Sequence, residues 1–316
     1  MGMVKILMKN IAFLLFIILF YSSCATVKTG NPYPNMETLM FNGNFAYEFK
    51  SLNASSDKLV IDFTGSGWNS ALGEYDKNEW VFTGTGAQLL QVLRKDHTIL
   101  IPEKWNRRPG INYYNDPDAR YQYTKENLVK CYVSTVDSYL SERNYSKIIL
   151  VGTSEGAALL PLIYEKMEDK NFVKGMVSIA AGGLSMYESY LISIEKNDVP
   201  DFWQDAYSYS IAVHENFEDY SESIETTPLG LVYRQLVSFM DLRPFDYYKN
   251  INIPILFIHG TKDMNIAVES TMYIQKNLPD KPFKFIYYDM GHIPMKEADK
   301  IRFRNDIAKW IRKIAK

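Results

Sequence analysis

The sequence holds little of several things, and each scarcity removes a class of function. Lys and Arg (35) do not outnumber Asp and Glu (37), for a formal net charge of −2. With no basic excess to neutralise phosphates, nucleic acid is not an expected partner. There are four histidines and two cysteines. No His-x-x-x-His and no Cys pair occurs among them, so no metal site is expected, and nothing else calls for a cofactor. There is no internal repeat and no long low-complexity tract. The unbroken apolar run Ile11 to Phe20 (IAFLLFIILF) is too short for a spanning helix.

What is present describes a packed protein. The chain has 316 residues, 47% of them hydrophobic and 14% aromatic, with 23 tyrosines. That is enough for one large domain, or a domain with an insertion, and the aromatic share argues against disorder.

The N-terminus reads as a targeting segment. Lys5 and Lys9 precede the apolar run, and Ser22, Ser23 and Cys24 follow it. A Cys directly after small residues resembles a bacterial lipoprotein signal. That resemblance implies a signal peptide over 1–23, lipid on Cys24, and an extracytoplasmic, membrane-anchored domain. Residues 24–38, polar with Gly and Pro, then form a tether. If Cys24 carries lipid, only Cys131 remains and no intrachain disulfide can form. Cys131 sits in a helix-period stretch and reads as a buried small residue.

Beyond the tether, strand and helix alternate. Phe45 to Phe49, Lys58 to Phe63 (KLVIDF), His97 to Ile101, Lys147 to Val151 (KIILV), Val173 to Ile179, Pro254 to His259 and Phe283 to Tyr288 (FKFIYY) read as strands. Thr85 to Arg94, Thr124 to Arg143, Ala157 to Met167 and Lys296 to Ile314 read as helices, the second capped by Thr124. Pro161 is expected to kink its helix. Short strands that are apolar throughout are strands covered on both faces. The fold class is therefore α/β, a doubly wound, mostly parallel sheet. Residues 184–250 break the rhythm, with twelve acidic and four basic residues and many aromatics. They read as a helical cap inserted into a core made of 39–183 and 251–316.

Gly152-Thr153-Ser154-Glu155-Gly156 carries the chemistry. It follows the buried strand KIILV and opens a helix, where a sharp turn presents the serine beside the helix N-terminus and its positive dipole. This arrangement resembles the α/β-hydrolase superfamily over nearly all of residues 40–316. The resemblance implies a nucleophile, acid and histidine in that chain order. Ser154 would be the nucleophile. Asp263, in the turn after PILFIH, would be the acid, and His292, after FKFIYY, the base. The oxyanion donors would be the backbone N–H groups of Glu155 and of Ser66, the latter in Thr64-Gly65-Ser66-Gly67. His97, His214 and His259 read as structural.

Such a triad performs acyl transfer to water without separating ester from amide. The leading expectation is a serine hydrolase acting on a carboxylic ester, its substrate a small-molecule or peptide acyl compound. The alternatives are an aminopeptidase-like amide hydrolase, using cap carboxylates to hold an amino group, and a catalytically silent binding lipoprotein.

Overall fold

The apolar runs settle side by side. A computed structural model of the chain describes residues 26–27, 36–68, 70–71, 74–76, 79–81, 89, 92–105, 113–197, 199–227 and 230–316. Residues 1–25, read above as a signal segment and the lipid-bearing Cys24, lie outside the described residues, as do most of the expected tether and most of the helix expected over Thr85 to Arg94.

In chain order the strands are β1 (Thr26–Val27), β2 (Met36–Phe41), β3 (Asn44–Phe49), β4 (Lys58–Phe63), β5 (Glu74–Asp76), β6 (Glu79–Val81), β7 (Thr98–Pro102), β8 (Lys147–Thr153), β9 (Val173–Ile179), β10 (Ile255–Gly260) and β11 (Phe283–Tyr288). Eight form one sheet in the order β11-β10-β9-β8-β4-β7-β3-β2, and β1, β6 and β5 form a small one. From β11 to β7 all neighbours are parallel, while β3 runs antiparallel to both β7 and β2.

Successive side chains of a strand point to opposite faces, and here each face meets its own helices. Leu59, Ile61, Phe63 and Leu150 pack with helices Lys125–Ser141 and Glu155–Lys166. Val60, Ile149, Val151 and Val177 pack with Phe303, Ile307 and Ile311 of helix Glu297–Ile314. Coverage on both sides is why these strands are apolar throughout rather than alternating.

Two boundaries differ from the sequence reading. The sheet begins at Met36, inside the expected tether, because Asn42 and Gly43 take positive φ (51° and 83°) and turn β2 back on β3. Thr26–Val27 of that tether is also paired, with β6. At the other end the insertion holds helices Met186–Lys196, Asp201–Glu215, Phe217–Tyr220 and Tyr233–Met240. Tyr190, Tyr207, Val213, Leu236 and Met240 give it a small core of its own. The main core resumes before residue 251, however: Leu242 and Tyr248 already belong to it.

Pro161 sits inside helix Glu155–Lys166 as expected. Having no N–H, it leaves the carbonyl of Ala157 without its helical donor. The buried Tyr248 hydroxyl takes that place at 3.4 Å.

Candidate active site

The turn between β8 and its helix is built by close approach. Ser154 adopts φ 54°, ψ −118°, a conformation that costs an L-residue on the order of 1–3 kcal/mol. Its N–H is held by the carbonyl of Ile179 at 2.8 Å. Glycine is required on either side. A Cβ on Gly152 would come within 2.8 Å of three backbone atoms of Gly156 and Ala157, and one on Gly156 within 2.7 Å of three backbone atoms of Phe63 and Thr64. The loop after β4 is equally near, since a Cβ on Gly65 would lie 3.3 Å from the Ser154 Cβ.

Asp263 and His292 meet at the same edge of the sheet, after β10 and β11. His292 Nδ1 donates to Asp263 Oδ2 at 2.8 Å. That leaves Nε2 with the free lone pair, which a general base needs. The two turns are locked together: Thr261 and Lys262 donate their N–H groups to the carbonyls of Tyr288 and Met290, at 2.8 and 2.9 Å. The Asp263 side chain is fully buried, and that of His292 is 13% exposed. Burial alone would raise the Asp263 pKa. The charge of His292 and hydrogen bonds from His259 and His292 outweigh it and hold the carboxyl well below the usual carboxylate range.

His259 has more to do than its sequence context suggested. Its Nε2 lies 3.2 Å from Asp263 Oδ2 and 3.0 Å from the carbonyl of Ile266, and its Nδ1 2.7 Å from the Thr271 hydroxyl. Asp263 Oδ1 accepts the N–H groups of Asn265 and Ile266 at 2.8 and 3.2 Å. The acid is therefore held by the backbone of its own turn and by two imidazoles. The insertion reaches this turn as well. The Tyr207 hydroxyl donates to the carbonyl of Met264, Ser189 Oγ accepts the N–H of Ala267 at 2.8 Å, and the Leu184 N–H donates to Ser270 Oγ at 3.0 Å.

Of the two expected oxyanion donors, the Glu155 N–H opens its helix and so has no intrahelical acceptor. Ser66 is exposed in the loop facing Ser154. Beneath both lies a buried polar network that the sequence did not reveal. Lys104, 2% exposed, donates to the Gly65 carbonyl (2.5 Å), the Tyr123 hydroxyl (2.9 Å) and Glu155 Oε1 (2.8 Å). Tyr123 accepts the Gly67 N–H at 3.1 Å and donates to Glu155 Oε1 at 2.9 Å. Gln235, from the insertion, donates to Glu155 Oε2 at 3.1 Å. The neighbouring Glu103 accepts from Ala71 N–H at 2.7 Å and from the Ser70 hydroxyl. The available sequence signal was a charged pair, Glu103-Lys104, directly after a strand whose every residue is buried.

Cys131 is buried, and burial pushes its thiol up to about 12, so it does not supply a thiolate near neutral pH. His214 pairs with Asp241 at 3.0 Å. His97 is buried beside Asp96, and burial lowers its pKa despite that carboxylate. Among the described residues no group of three His, Cys, Asp or Glu could hold a metal ion, and no helix is long and apolar enough to cross a membrane.

Residues 105–302, more than half of the chain and including Ser154, Asp263 and His292, match the family described as serine hydrolase (FSH1). No curated protein matches the sequence. Solved structures resemble it in fold. An esterase of Pyrococcus furiosus matches with a TM-score of 0.58 at 14% identity, over 92% of this chain and 96% of its own. Est1E from Butyrivibrio proteoclasticus matches at 0.56 and 12%, over 89% and 98%. An acylaminoacyl peptidase of Pyrococcus horikoshii matches at 0.59 and 14%, over 92% of this chain but only 42% of the peptidase, so this chain spans less than half of that protein.

Proposed function

The chain belongs to the serine hydrolase (FSH1) family, and from that premise we propose that it hydrolyses a carboxylic ester through an acyl-enzyme on Ser154. The observation that carries the proposal is the 2.8 Å bond from His292 to buried Asp263, at the sheet edge where Ser154 is held in its strained turn. Ser154 Oγ attacks the acyl carbon as His292 Nε2 takes its proton, and His292 returns that proton to the leaving group. Asp263 keeps the imidazole in the right tautomer and stabilises the imidazolium that forms. The N–H groups of Glu155 and Ser66 hold the oxyanion, each worth roughly 10²–10³ in kcat. Water then repeats the sequence on the acyl-enzyme.

A second reading, amide hydrolysis at a free amino terminus, is favoured by one feature: the twelve acidic and four basic residues of the 184–250 insertion attract cations. We place either activity outside the cytoplasm, on a lipid carried by Cys24, a reading supported by the sequence of residues 1–24 alone. Loss of metabolic fatty-acid labelling in Cys24→Ala tests it.

Fluorophosphonate labelling of the purified protein tests the chemistry. Wild type is expected to label, and Ser154→Ala and His292→Ala to lose the label. Turnover of nitrophenyl esters against aminoacyl-arylamides then separates the two readings. A folded wild type that neither labels nor turns over any such substrate refutes both and leaves a binding lipoprotein.

A further inference from the structure

We propose that Lys104 is the positioning residue of the oxyanion hole, turning the Ser66 N–H toward the substrate by holding the carbonyl of Gly65. The inference rests on the acyl-enzyme chemistry proposed above. The Gly65 carbonyl and the Ser66 N–H belong to one peptide unit, which is planar and trans, so the two groups point in opposite directions. With the oxygen drawn inward to the buried ammonium at 2.5 Å, the N–H is turned outward. The Cα of that same glycine lies beside Ser154: a Cβ built there would stand 4.0 Å from Ser154 Oγ. A flipped 65–66 peptide would put an oxygen where a donor is needed.

The rest of the network leaves that one N–H available. The next donor along the loop, the Gly67 N–H, is already given to the Tyr123 hydroxyl, whereas the Ser66 N–H makes no hydrogen bond to a described residue. The three N–H groups of Lys104 reach Gly65 O, Tyr123 Oη and Glu155 Oε1. One of these is the side chain of the residue whose backbone N–H is the other oxyanion donor. Lys104 therefore sets both donors against each other from beneath. Stability alone does not call for charge here, because an apolar pair of similar volume serves a buried position about as well. An apolar side chain has no means of gripping a carbonyl by its oxygen.

The test separates positioning from support of the fold. Lys104→Met alone strands the Glu155 carboxylate in the interior, so the informative variant is Lys104→Met with Glu155→Gln, which removes both charges. Melting curves establish that it folds. With a nitrophenyl ester, kcat is expected to fall about 10²-fold, the loss of one oxyanion donor, with KM within about threefold. Affinity for phenylboronic acid, whose adduct on Ser154 carries a tetrahedral oxyanion mimic, should fall in parallel. The pH profile of kcat/KM should stay in place, because Asp263 and His292 are untouched. Tyr123→Phe, which frees the Gly67 N–H, gives a second readout, with an expected loss of about tenfold in kcat and none in KM. Unchanged kcat in either folded variant overturns the proposal, as does a loss that appears in KM alone. An unlabelled, inactive wild type would instead refute the acyl-enzyme chemistry itself.

Discussion

Gly156→Ala sets two physical effects of opposite sign against each other. Gly156 lies in the first turn of helix Glu155–Lys166, and on helix propensity alone alanine should stabilise by about 1 kcal/mol. The new Cβ, however, would sit 2.6 Å from the carbonyl oxygen of Thr64 and 2.7 Å from the carbonyl carbon of Phe63. Ordinary C···O contacts are about 3.3–3.6 Å, so the helix must retreat from β4 by roughly 1 Å. The atoms in the way are backbone at the end of a central strand, which cannot swing aside as a side chain would. Overpacking of this kind costs about 1–3 kcal/mol, enough to outweigh the propensity gain. The retreat also carries Ser154 and the Glu155 N–H away from the loop after β4. A displacement of that size costs on the order of 10² in rate. Thermal melts and the rate of fluorophosphonate labelling measure the two consequences. Gly43→Ala is the control: the glycine has positive φ (83°) with nothing within 4 Å of a new Cβ. There the melt should fall through backbone strain of about 1–2 kcal/mol while the labelling rate is unchanged. A Gly156→Ala protein that melts at or above the wild-type temperature and labels at the wild-type rate would refute the close-approach argument.

Tyr248→Phe strands the Ala157 carbonyl that Pro161 leaves unpaired; it should cost about 1 kcal/mol by denaturant titration, and clearly less in a Pro161→Ala background, where the helical donor is restored. Because the Asp263 pKa is lowered by its imidazole partners against the pull of burial, the stability it contributes is complete above the ordinary carboxylate value, near 3.9. That contribution drains away as pH falls from there toward the lower folded value. Melts of wild type and Asp263→Asn between pH 6 and 2.5 should show a steeper acid loss in wild type, and equal slopes would contradict it.

Local signals carried the central sheet and the elbow. Strands Lys58–Phe63 and Val173–Ile179 fall where the apolar runs put them, because strands covered on both faces announce themselves in sequence; the edge strand Phe283–Tyr288, mostly half-buried, is legible from its aromatic run FKFIYY. The Asp263–His292 contact follows from each residue standing just past a parallel strand. The edge strand Met36–Phe41 was hidden by its exposure: half of its residues face water, and its METLMF sequence shows neither a fully apolar run nor a period-two alternation. Its one clear signal was Asn42-Gly43, a dipeptide suited to the positive φ angles of a tight hairpin. Lys104, Tyr123, Gln235 and His259 stayed silent for another reason. Lys104, Tyr123 and Gln235 meet Glu155 across separations of 51, 32 and 80 residues, and no local period encodes such meetings. The four-residue spacing of His259 and Asp263 was visible but became meaningful only once the turn after β10 folded the two together.

The bonds from Tyr207, Ser189 and Leu184 to the segment Met264–Ser270 bear on how such an enzyme can be re-engineered. The insertion grips the same turn that carries Asp263, and through Gln235 it also grips Glu155. It is thus not an interchangeable visor on a finished catalyst. A chimaera that borrowed residues 184–250 from a relative would import foreign anchors for the Asp263 carboxylate and for the elbow. Changes in the insertion are therefore expected to move the Asp263 turn and Glu155 as well, and libraries that vary it need to leave Leu184, Ser189, Tyr207 and Gln235 in place.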